Sequence, residues 1–362
     1  MHRVWLTLKD FEFRDLEIRM KRRLISMMVV AVAGTCCTGC LHYRLQRPPR
    51  RPVPLPESFR QEFGAREKGA FEPLVLDEKS SSWRETRRWY VRYEIAITNA
   101  QDAAVRPVEF DYYLPNLAGI KNRASASDPA LREKTPAILI LPIMGGTQYE
   151  LESFFARSFA KRGFASVILH RPDIKKEVRE LEDIDGMLRK SVRDAQRLID
   201  WLEVQPQVDA GRLGVFGVSL GAIRGTMVLG LDERVRVGVL GLVGGDLPYI
   251  LAHTKEKGLV RERNKVLEKN QFSVNELEQR LRSMIRCEPL RVAEAVDPSR
   301  VLMVIAAFDH VIPARKGWEL RRQLGNPAAV QIFSGHYSSV IYAPYLRWKT
   351  GRFFAKAFKA ES

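Results

Sequence analysis

Past residue 135 the chain alternates short, mostly apolar runs with segments of helical period. The runs at 137–141, 165–169, 213–216, 235–242, 301–307 and 330–333 lack the polar alternation of a strand with one wet face, so they predict strands buried on both sides. Between the first runs, 149–161 predicts a helix and 187–204 a longer one, in which Leu188, Val192, Ala195, Ile199 and Leu202 share one face. This rhythm implies an α/β fold with a mostly parallel sheet flanked by helices. Upstream, 89–98 and 105–114 are rich in Val, Ile, Tyr and Phe and are separated by Asn99-Ala-Gln-Asp102, which predicts an N-terminal antiparallel pair. Residues 117–135 are small and polar, a loop. Residues 247–297 break the alternation: Ser273 and Glu276 open a helix with apolar positions 274, 277, 281, 284 and 285, so a helical insertion is expected between two core strands.

One of the apolar strands runs into Gly217-Val218-Ser219-Leu220-Gly221 and then a helix-compatible stretch. A chain that turns sharply from strand to helix needs small residues beside the turn, and the serine between them is forced into an exposed, strained conformation. A serine hydroxyl is a poor nucleophile at neutral pH and needs a general base held by an acid. Of the six histidines, His336 stands just past the last predicted strand, in Phe333-Ser-Gly-His-Tyr337. Asp309 ends the preceding strand, and Asp246, at the end of the strand after the serine, is the alternative acid. The order Ser219, Asp309, His336 leaves room for a helical lid and one further strand–helix unit.

On these motifs, residues 83–362 resemble an α/β-hydrolase, most similar in layout to the dienelactone hydrolase, acetyl esterase and prolyl-oligopeptidase-like branch. The resemblance implies Ser219 as nucleophile, His336 as base and Asp309 as acid, in a serine esterase that forms an acyl-enzyme. It implies backbone oxyanion donors at Leu220 and in the loop after the strand ending at Leu141, at Met144 or else Gly145. That loop reads Pro-Ile-Met-Gly-Gly where many relatives carry His-Gly. The same triad would serve an acyltransferase or a peptidase, and an inactive chain would remain as a membrane-tethered binding protein. No cofactor is expected: there is no His-Glu-x-x-His, no cysteine pair past the leader and no dinucleotide fingerprint. The expected substrate is a small-molecule or lipid-derived ester.

Charge adds little and the N-terminus adds more. The formal charge of +16 comes from mixed-sign sequence, and without a basic helix interleaved with aromatics or a zinc spacing no nucleic-acid partner is expected. From Lys255 to Arg286 the insertion holds nine Lys or Arg against five Glu. Met20-Lys-Arg-Arg precedes an apolar run at 24–35 and then Cys36-Cys-Thr-Gly-Cys40, the three parts of a secretory signal, with Met1 or Met20 as the start. Gly39-Cys40 resembles a lipoprotein cleavage box, which implies lipidation at Cys40 and an extracytoplasmic, membrane-anchored protein or a secreted one. Residues 41–82 follow as an expected Pro/Arg-rich tether, with prolines at 48, 49, 52, 54 and 56. Cys287 would be left as a lone thiol.

Overall fold

The apolar runs do become buried strands, and every residue of the strand at Thr135–Leu141 is removed from solvent. In the computed structural model the described residues are 40–64, 74–77, 86–96, 105–115, 134–145, 149–171, 178 and 180–360. The leader, the Asn99–Asp102 turn and most of the 117–135 loop lie outside them. Ten strands form one sheet among the described residues. They are β1 (Leu41–Tyr43), β2 (Leu74–Asp77), β3 (Thr86–Ala96), β4 (Val105–Pro115), β5 (Thr135–Leu141), β6 (Ala165–Leu169), β7 (Val208–Val218), β8 (Val235–Gly241), β9 (Val301–Ala306) and β10 (Ala328–Ile332). Their order across the sheet is β1-β10-β9-β8-β7-β5-β6-β4-β3-β2. The six strands from β10 to β6 pair in parallel, and β1, β4, β3 and β2 add antiparallel edges.

Successive residues on these strands feed opposite faces, which splits the core in two. Leu139, Leu141, Val215, Met303 and Ile305 pack on one face, while Ile138, Ile140, Phe216, Leu302 and Val304 pack on the other. The first face is covered by α1 (Glu57–Gly64), α3 (Asp183–Glu203), α4 (Leu220–Leu231) and, further along the chain, α9 (Ala314–Gln323). The second is covered by α2 (Glu150–Lys161) and α10 (Ala343–Lys359). Here the rings of Phe155, Phe159, Phe216 and Phe354 interlock, with centroids 4.5 Å apart for Phe155–Phe216 and 5.4 Å for Phe159–Phe354. The first pair is tilted and the second edge-to-face, and such aromatic contacts add to their area burial. The insertion folds as α5 (Leu247–His253), α6 (Lys257–Asn270), α7 (Val274–Met284) and α8 (Pro289–Val292). The predicted capping box is present, both Ser273 and Glu276 bonding the other's backbone N–H.

The first part of the expected tether is instead a strap bound to the body. β1 pairs antiparallel with β10, closing that edge. The Arg50 guanidinium donates to the carbonyls of Glu294 at 2.7 Å, Gln323 at 3.1 Å and Ala293 at 3.3 Å, and Val53 N donates to Glu294 O at 2.8 Å. Carbonyls at helix ends have no partner within their helix, and a fork of five donors is well suited to them. Leu55, Phe59 and Phe63 then bury at a spacing of four, with Arg189 over the Phe63 ring at 4.3 Å. Proline and arginine here stiffen and fasten an extended chain rather than solvating it.

Removing one anchor should therefore register in stability. Phe59→Ala is expected to lower unfolding stability by about 3 kcal/mol, the usual loss for a buried ring, measured by urea denaturation. An unchanged midpoint would return residues 41–64 to the role of a spacer.

Candidate active site

The site is built where the parallel strands end. β7 terminates at Val218, α4 begins at Leu220, and Ser219 joins them at φ 54° and ψ −123°. A residue with a side chain is strained at positive φ, and such strain, typically 1–3 kcal/mol, persists only where the surroundings over-determine it. Here they do. Ser219 N donates to Gly241 O at 2.8 Å, and the Ser219 carbonyl accepts from Ala222 N at 2.9 Å and Ile223 N at 3.1 Å. The flanking glycines are steric requirements: a Cβ on Gly221 would stand 2.0 Å from Leu141 O, and one on Gly217 would stand 2.3 Å from Gly221 O.

Asp309 and His336 arrive on the loops after β9 and β10. Ala307 N donates to Ile332 O at 2.9 Å and Phe308 N to Ser334 O at 3.0 Å, which zips the two loops together. Asp309 is buried, and its Oδ1 accepts from the backbone N–H of Val311 at 2.8 Å and Ile312 at 2.9 Å. Its Oδ2 lies 2.7 Å from His336 Nδ1, and His336 Nε2 lies 3.0 Å from Ser219 Oγ. A carboxylate only accepts, so Oδ2 takes a hydrogen from Nδ1, which leaves Nε2 with its lone pair toward the serine hydroxyl. The structure thus brings together Ser219, His336 and Asp309, named in advance from three separate motifs.

Asp246, the alternative acid, is corrected. Its carboxylate pairs with Lys316 at 2.6 Å and with Arg282 at 2.8 Å, and its own N–H donates to Glu288 at 2.7 Å. Burial alone would raise its pKa, but Arg282 and Lys316 hold the carboxyl below the usual range. It is an internal counter-ion that fastens α7 and α9, and His336 has its bond to Asp309 instead. Cys287 is buried, and burial pushes its thiol up to about 12, where it is inert as a nucleophile.

The expected oxyanion elements flank the serine. Leu220 heads α4, where the first N–H groups have no partner within the helix. Met144 and Gly145 line the same cavity as Ser219 and His336. A residue the motifs did not single out sits behind them: the buried Glu152 accepts from Ile143 N at 2.9 Å and so fixes the loop. Burial pushes its carboxyl up, opposed by the Ile143 N–H and the Arg171 charge. In sequence it reads as an ordinary acidic residue in the first turn of a helix. The insertion reaches the cavity through Glu256, which accepts from Tyr337 Oη at 3.3 Å.

No family model matches the chain. A curated protein of Bradyrhizobium sp, a probable 2-oxo-3-(5-oxofuran-2-ylidene)propanoate lactonase, is 24% identical over 148 residues, 39% of this chain and 59% of that protein. The match thus spans less than two thirds of the relative's length. Among solved structures, an acetyl xylan esterase from Paenibacillus sp. R4 is similar with a TM-score of 0.59 at 17% identity, over 83% of this chain and 99% of that one. A glucuronoyl esterase from Teredinibacter turnerae T7901 is similar with a TM-score of 0.52 at 13% identity, over 80% and 78%. These likenesses show the α/β-hydrolase fold expected from the sequence.

The hydrogen-bond chain can be tested without knowing a substrate. A fluorophosphonate is expected to label Ser219, and His336→Ala to slow labelling on the order of 10²- to 10⁴-fold, the usual range for a lost general base. Asp309→Asn should slow it too, while Asp246→Asn keeps labelling near the wild-type rate. The reverse pattern for the two aspartates would exchange their roles.

Proposed function

We propose that this protein is a serine hydrolase that cleaves a carboxylic ester through Ser219, His336 and Asp309. The observation that carries the reading is the imidazole of His336 standing 3.0 Å from Ser219 Oγ and 2.7 Å from Asp309 Oδ2, beside an open cavity. The neighbours named as acetyl xylan esterase and glucuronoyl esterase support this class of bond by their names.

In the first half-reaction Ser219 Oγ attacks the ester carbonyl carbon while His336 Nε2 takes the hydroxyl proton. Asp309 keeps the imidazole in the right tautomer and stabilises the imidazolium. The bond from the carbonyl carbon to the alcohol oxygen then breaks, and the alcohol leaves with the proton from His336. In the second half-reaction water attacks the acyl-enzyme, His336 takes its proton, and the bond to Ser219 Oγ breaks as the proton returns. The N–H of Leu220, with that of Met144 or Gly145, would receive the carbonyl oxygen at both tetrahedral stages. One such donor is worth on the order of 10²- to 10³-fold in turnover.

The proposal extends to the N-terminus: the chain is exported and acylated on Cys40. β1 begins at Leu41, and Cys40 packs against the second core face. A lipid there would hold the hydrolase body itself at the surface, with no free spacer between.

Two outcomes are expected. Ser219→Ala should lower the turnover of a p-nitrophenyl ester on the order of 10⁵-fold or more, and Asp309→Asn on the order of 10⁴-fold, because the amide forces the wrong tautomer on His336. Wild-type turnover in either variant removes the assignment. For the anchor, metabolic labelling with a radioactive fatty acid in a bacterial host should mark the wild type, and Cys40→Ala should lose both the label and sedimentation with membranes. An unlabelled wild type would sink the lipoprotein reading.

A further inference from the structure

The cavity beside Ser219 has a shape that selects one half of the substrate. Its volume is about 370 Å³, and it runs from the serine into the layer between the sheet and the helices α2 and α10. Phe216 of β7, Val239 of β8, Val304 of β9, Phe155 of α2 and Thr350 of α10 line it. None of these five is more than 3% exposed, so the inner end is closed by the core itself. Gly145, Tyr337 and Val340 also line it and are exposed, and they mark the mouth. The site is a blind apolar pocket with the serine and His336 on its wall.

Unfilled apolar space of this size weakens a core in proportion to its volume. The surrounding core is otherwise filled by interlocking phenylalanines, so open space in the same layer, next to the reactive hydroxyl, points to an occupant. At roughly 30 Å³ for a water-sized group, the pocket holds on the order of ten non-hydrogen atoms, an ester group with an acyl chain of about six to eight carbons.

A blind pocket suits the acyl side of the ester. The alcohol must depart before water can attack, and a product at a closed end would have to pass the acylated serine to escape. The acyl chain stays bonded to Ser219 Oγ through that exchange and can remain buried, while the alcohol faces the mouth at Tyr337 and Val340. We infer that the preferred substrate is an ester of a medium-chain, unbranched aliphatic acid whose chain lies between the sheet and α10. The inference rests on the serine hydrolase reading and separates this chain from enzymes whose names specify acetyl groups.

The test is kcat/KM for p-nitrophenyl esters from acetate to palmitate, which vary the acid at constant leaving group. From acetate upward, kcat/KM is expected to rise about fourfold per methylene, to peak near octanoate and to fall beyond it. Thr350→Phe, at the closed end, and Leu346→Trp, on a half-buried turn of α10 that also lines the pocket, should each lower the octanoate-to-butyrate ratio by tenfold or more. Leu346→Trp keeps the test open if the buried Thr350 variant fails to fold. Fastest turnover of acetate or propionate, or a rise unbroken to palmitate, overturns the blind acyl pocket and leaves the serine assignment standing. Failure of every ester to acylate Ser219 removes the serine assignment itself, and the pocket inference with it.

Discussion

The fit of Gly221 against the last carbonyl of β5 is the contact on which the rest of the site depends. Because a Cβ there would meet Leu141 O at 2.0 Å, helix α4 can lie directly across the end of the neighbouring strand. That approach fixes two things together. It holds Ser219 at positive φ, and it brings the loop that leaves β5, with Met144 and Gly145, to the same cavity as the serine. The strain at Ser219 is supported by the buried central strands β5, β7 and β8, whose ladder is continuous through Gly217 and Val218. A parallel sheet puts all its carboxyl ends on one side. Asp309 and His336 therefore need only follow β9 and β10 to reach the serine from 90 and 117 residues away.

What was legible in the sequence follows from this geometry. Ser219, Asp309 and His336 each stand at the end of an apolar run, so strand pattern and chemistry point to the same places. Asp246 carries the same local signature, yet Lys316 and Arg282 occupy it, from helices 70 and 36 residues further along the chain. No local pattern records that pairing. Glu152 was illegible for a related reason, since its partner is the N–H of Ile143, nine residues upstream in a separate loop, and no motif records that pairing. The capping box at Ser273 and Glu276 was legible because both of its bonds are local.

The strap at 41–64 shows how composition misleads. Prolines and arginines in a short stretch are the usual mark of a solvated spacer. A proline-rich chain cannot form a ladder of its own, but it can be fastened from outside, and arginine supplies the donors. Arg50 serves carbonyls at 293, 294 and 323 at the ends of two helical segments, beside Val296 N at 293 and Val53 N at 294. The apolar signal was present in Leu55, Phe59 and Phe63, a spacing of four that begins inside the proline cluster. Net charge likewise hides these pairings: Arg50, Arg189, Arg282 and Lys316 are all engaged within the molecule.

The two faces of the sheet divide the work. The larger core, with α1, α3, α4 and α9, supports the nucleophile turn from one side, and the strap adds Leu55, Phe59 and Phe63 to it. The smaller core, with α2 and α10, contains the open space beside the serine. Side chains on α10 contribute Ala343, Leu346 and Thr350 to that space, whereas the bonds that hold Ser219, His336 and Asp309 involve no residue of this helix. Distant sites act nearly independently on stability, while groups sharing a wall are coupled. Substitutions at Leu346 and Thr350 therefore reshape that space without removing a bond that holds Ser219, His336 or Asp309.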